Sequence, residues 1–75
     1  MIIKNFDYIY NLLKNYNFYY IEDIIVNYIE LFEFDYEAVN YAILNIKSEL
    51  GEDFVKIIGN NLTIINDIIG KATDY

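Results

Sequence analysis

Twelve carboxylates, nine tyrosine hydroxyls, five lysines and the hydroxyls of Ser48, Thr63 and Thr73 carry the reactive chemistry of this 75-residue chain, which has no His, Cys or Arg. Nucleophilic catalysis needs an activated hydroxyl or thiol beside a base, and Ser48 has only chance carboxylates near it in sequence. Zinc sites draw on Cys and His, so that class is closed. The acids gather at Glu22-Asp23, at Glu30, Glu33, Asp35 and Glu37, and at Glu49, Glu52 and Asp53. None of these groups has the spacing of a calcium loop, and ordinary surface acids account for them. No glycine-rich phosphate loop follows a strand. The expectation is a protein that is not an enzyme and holds neither metal nor small-molecule cofactor.

Recognition chemistry is what remains. The formal net charge is −7. Ile (15), Asn (10) and Tyr (9) have AT-rich codons, yet Lys, which shares that property, reaches only 5. Coding drift therefore accounts for the tyrosines better than for the acidity. Tyrosine suits an interface because its ring buries area while its hydroxyl stays wet. Tyr41 and Leu44 stand out because both project away from the apolar stripe of their helix. With Glu37, Asn45 and Ser48 around them they form a candidate partner-binding patch, or else a homodimer seam.

The elements that must position this patch follow from hydrophobic periodicity. A helix is predicted over residues 2–16, where Ile2, Phe6, Ile9, Leu13 and Tyr16 recur at 3.6-residue spacing and Ile3, Tyr10 and Leu12 widen the stripe. Asn15-Tyr16-Asn17 ends it, and Phe18-Tyr19-Tyr20 reads as a turn or a strand stub. A second helix is predicted over 21–33, with Val26 and Asn27 outward. A third is predicted over 35–50, capped by the Asp35 carboxylate, favoured by Glu37 in its first turn and by Lys47 in its last, and closed by Gly51. Its buried stripe is Val39, Ile43, Ile46 and Leu50.

Beyond Gly51 the β-branched runs Phe54–Ile58 and Leu62–Ile65 flank Gly59-Asn60-Asn61, which reads as a β-hairpin over about 53–66 with a frayed tail at 67–75. A competing reading is a fourth helix, since Phe54, Ile58, Leu62, Ile65 and Ile69 also share a helical stripe. The predicted fold class is therefore one small α+β domain, mainly α with a C-terminal hairpin, and the alternative is an all-α four-helix bundle. Apolar runs of four residues or fewer cannot span a membrane. With no charged and apolar leader pattern at the start, a cytoplasmic protein is expected.

Helix, aromatic stub, helix, short turn, helix, glycine, hairpin: in this order the chain resembles a winged-helix domain. The segment YIEDIIVNYIELFEFDYEAVNYAILNIKSEL (residues 20–50) resembles its helix-turn-helix, and FVKIIGNNLTII (residues 54–65) its wing. The second helix is longer than is usual there, and the turn lacks the usual glycine. The resemblance implies a third helix that enters the DNA major groove. The residues argue against that, because no arginine is present to grip guanine and Lys47 is the only cation on the helix. Glu37, Glu49, Glu52 and Asp53 would stand near phosphates, reversing the counterion-release term that dominates DNA affinity.

The expected function is a small acidic protein-binding module or inhibitor that docks on a basic partner, such as a nucleic-acid-binding protein. In size and charge the chain is similar to phage-encoded inhibitors of host defence or transcription, anti-CRISPR proteins among them. The alternatives are a winged-helix DNA-binding regulator, with Lys4, Lys14, Lys47 and Lys56 on phosphates, and a homodimer through the wide apolar arc of the first helix.

Overall fold

Phe6, Ile9, Leu12 and Leu13 recur every three or four residues, and the chain winds them into helix α1 (Phe6–Asn15), which buries Ile9, Leu12 and Leu13. The computed structural model of the chain describes residues 5–75. The predicted contributions of Ile2 and Ile3 to this helix lie outside the described residues. α1 ends as the sequence suggests, and the device is visible. Asn17 adopts φ +66°, its amide donates to the Lys14 carbonyl at 2.9 Å, and the Phe18 amide donates to Leu13 at 3.0 Å. This is the double hydrogen bond that closes a helix through one left-handed residue, and Asn tolerates that conformation well. The motif drives Phe18 into the core, where its ring meets Tyr16 and Phe54 edge-on at 6.3 and 6.2 Å.

The second predicted helix is shorter than its periodicity implies. α2 (Ile21–Asn27) stops where the Asn27 side-chain amide turns back to the Asp23 carbonyl at 3.1 Å and Tyr28 leaves the helical region at φ −135°. Asparagine competes with its own helix for backbone partners, and the β-branched run Ile24-Ile25-Val26 resists it little. A 3₁₀ helix (Ile29–Glu33) follows and places both Leu31 and Phe32 fully inside. Phe32 stacks on Phe6 with centroids 5.0 Å apart.

α3 (Tyr36–Leu50) is the longest element, and it buries Ala38, Val39, Ala42, Ile43 and Ile46. Asp35 occupies the cap position in extended conformation, but its carboxylate makes no capping hydrogen bond, contrary to expectation. Gly51 closes the helix at φ +88°, a value that L side chains avoid.

After Gly51 the predicted hairpin is absent. Helices account for 79% of the described residues, and none of them forms a strand. Phe54–Asn60 forms α4, Leu62–Ile64 a 3₁₀ turn and Ile65–Thr73 α5. The reason lies in the pattern. As a strand, 54–58 would put Lys56 on the same face as Phe54 and Ile58. As a helix it buries Phe54 and Ile58 and leaves Lys56 exposed, so the binary pattern overrides β-propensity. Gly59 supplies no turn. It keeps negative φ inside α4, where a Cβ would come within 2.5 Å of the Tyr19 ring, so its role is close approach. The turn is made instead by Asn61, at φ −150° and ψ 86°.

The predicted frayed tail is also corrected. α5 buries Ile65, Ile68 and Ala72 and packs against α3 more extensively than any other helix pair among the described residues. The two run antiparallel, since Lys71 meets Glu49 near one end and Tyr75 meets Tyr41 nearer the other. The result is neither a winged helix with its wing nor four simple helices. It is a five-helix globule whose inner helix, α3, carries the central share of the core.

Candidate interaction face on the third helix

At 100° per residue, α3 divides into sectors. Ala42, Ile46, Val39 and Ile43 point inward, Asn40 and Lys47 lie on one flank, and Ala38, Asn45 and Glu49 lie on the flank toward α5. Glu37, Leu44, Ser48 and Tyr41 share the remaining sector, which faces outward. Tyr41 and Leu44 are 44% and 48% exposed, an unusual state for two large side chains one turn apart. Glu37 and Ser48 are exposed one turn to either side. Four of the five sequence-predicted residues thus share one face. Asn45 stands at its edge, half-buried, with its side-chain amide donating to the Tyr41 carbonyl at 2.9 Å.

The tertiary structure adds a residue to this face. Tyr75, just beyond α5, brings its ring to 5.2 Å from that of Tyr41 at an interplanar angle of 58° and stays 65% exposed. The stepping of Ile65, Ile68 and Ala72 by three and four residues signals the helix that leads to Tyr75, whereas its meeting with Tyr41 is a tertiary contact.

Charge around the face is set by where the lysines go. Lys47 Nζ lies 3.8 Å from Glu52 Oε2 and 5.9 Å from the centre of the Phe54 ring, so it leans toward α4. Lys71 Nζ donates to Glu49 Oε2 at 2.7 Å, and this hydrogen bond raises the ammonium pKa above its ordinary value despite the opposing effect of desolvation. The outward stripe itself carries Glu37 and no cation. Exposed surface of this kind, aromatic and aliphatic at the centre with polar groups around it, can bury area against another macromolecule.

Behind the face, the Tyr16 hydroxyl donates to Asn40 Oδ1 at 2.7 Å and ties α1 to the flank of α3. Burial first, and the neighbouring Tyr36 phenol second, hold the Tyr16 hydroxyl above its ordinary pKa. The folded chain then keeps a proton that the unfolded chain releases. The stability linked to this group is complete below the ordinary tyrosine range and is lost as pH rises through the elevated folded-state value. Tyr16→Phe is expected to cost about 1 kcal/mol at neutral pH, because the Asn40 oxygen loses its donor. It is also expected to flatten the alkaline decline in stability. Urea unfolding of both chains at pH 7 and above pH 10 checks the two effects.

Among the described residues no three acidic side chains converge to hold a metal ion, and no helix is long and apolar enough to cross a membrane. Compared with known protein families, curated proteins and solved structures, the chain finds no match.

Proposed function

We propose that this chain is a non-enzymatic binding module that acts in the cytoplasm, docking through the outer face of α3 on a basic protein and obstructing that partner's nucleic-acid site. One observation carries the reading: Tyr41 and Leu44 from α3 and Tyr75 from just beyond α5 stand exposed together, and the outward sector of α3 carries no cation. Aromatic anchors of this kind dominate protein interfaces, and carboxylates such as Glu37 favour a basic counterpart. A net charge of −7 would speed encounter with such a partner and repel duplex DNA.

The test is retention of a partner from cell extract at moderate salt by immobilised wild-type chain and by a Tyr41→Ala/Leu44→Asp variant. The expected result is one stoichiometric basic protein held by the wild type and bound at least ~10-fold more weakly by the variant, on the scale of interface anchors. Both positions are exposed, so far-UV circular dichroism should not change. Equal retention by the two chains removes the α3 face from the reading. A mobility shift of random duplex at low salt that fades steeply with added salt would replace the reading with DNA binding.

A further inference from the structure

We propose that the junction of α1 and α2 is a second docking surface, shaped to take an arginine-bearing segment of the basic partner; this rests on the reading of the chain as a module for such a protein. Tyr19 and Tyr20 are both exposed, with their rings edge-on at 6.3 Å. Val26, at 77%, is the most exposed large apolar side chain among the described residues. Helical spacing sets Val26 one turn from Glu22 and Asp23, so two carboxylates and one aliphatic group share the outer face of α2. Alongside runs an open groove of about 380 Å³ lined by Tyr10, Phe18, Tyr20, Ile21, Glu22 and Asp23.

The fold does not ask for a tyrosine at position 20. Ile24 fills the core from α2, while Tyr20 stays 59% exposed in the left-handed region, at φ +59° and ψ 41°. That conformation costs a bulky residue free energy that glycine would avoid. The ring is displayed at the expense of backbone strain.

Charge complementarity selects the occupant. Neither Glu22 nor Asp23 is in an ion pair among the described residues, where the pairs are Lys47–Glu52 and Lys71–Glu49. Lys14 Nζ sits 5.5 Å over the Tyr10 ring, so one wall of the groove already receives a cation, and two carboxylates outweigh that single charge. A guanidinium lies flat on a tyrosine ring and donates two parallel hydrogen bonds to a carboxylate, neither of which an ammonium does. A second copy of this chain is not the occupant, because it contains no arginine and carries the same net −7.

The test titrates the isotope-labelled full chain with deca-arginine and, separately, with deca-lysine at physiological ionic strength. Deca-arginine should bind about fivefold more tightly than deca-lysine, with amide shifts concentrated in residues 18–27. Tyr20→Phe should keep that affinity. Tyr20→Gly should lower it about fivefold while raising the melting temperature by relieving the positive φ. A damaged fold cannot give weaker binding together with a higher melting temperature. Equal affinity for the two peptides, shifts spread over all the carboxylates, no binding at all, or a Tyr20→Gly chain that binds like wild type overturns the proposal. Shifts confined to Tyr41, Leu44 and Tyr75 overturn this surface yet leave the α3 reading standing, which the retention experiment decides independently.

Discussion

Alanine in place of Phe32 is expected to lower stability by about 3–5 kcal/mol, the range for removing a buried phenylalanine ring. Phe32 is the largest fully buried side chain, and its ring stacks on Phe6, so the substitution empties a cavity between α1 and the 3₁₀ segment. A domain of this size has roughly 4–11 kcal/mol in total at about 0.05–0.15 kcal/mol per residue. The loss therefore takes much or all of that margin. Flanking sites relax little, because Leu31 on the same turn is also fully enclosed. Urea denaturation followed by circular dichroism measures the change. A loss below about 1 kcal/mol would mean that the 3₁₀ segment does not anchor the core as described.

The second large effect is expected at Ile68. Ile68→Asp would place a carboxylate where the native side chain has no solvent exposure, and burying an unpaired charge costs several kcal/mol. The variant should be unfolded or nearly so at 25 °C, with loss of the helical far-UV signal. Asp67→Ala, one residue away and exposed, should stay within about 0.5 kcal/mol of wild type. The contrast between neighbours is the informative part. A frayed tail would tolerate both changes equally, whereas α5 packed on α3 tolerates only the second.

The portions of the fold legible from sequence were those in which local and tertiary preferences agree. α3 is one: Gly51 ends it at positive φ, Lys47 sits in its last turn, and Val39, Ile43 and Ile46 form its inner stripe. Its outward sector follows from the same periodicity, which is why Glu37, Tyr41, Leu44 and Ser48 could be placed on one face. α1 is another, and its termination at Asn17 was readable because few residues besides Gly and Asn accept the left-handed conformation. α2 was legible at its start but not at its end, since a single Asn side chain and the twist at Tyr28 decide where it stops.

Residues 53–75 divide the two kinds of information most sharply. By itself the sequence determined that apolar groups at 54, 58 and 65 can share one helical stripe with Lys56 off it, and that the chain carries acid rather than guanidinium on its surface. Only the tertiary structure decided that these groups wind as helices. β-Branched residues carry a modest local preference for strands, and a two-stranded hairpin alone covers little of a core. The inner face of α3 offered a long apolar surface that α5 could cover with Ile65, Ile68 and Ala72. Burial along that surface outweighs propensity, and it carries Tyr75 to Tyr41, a meeting of residues 34 positions apart that no local pattern encodes.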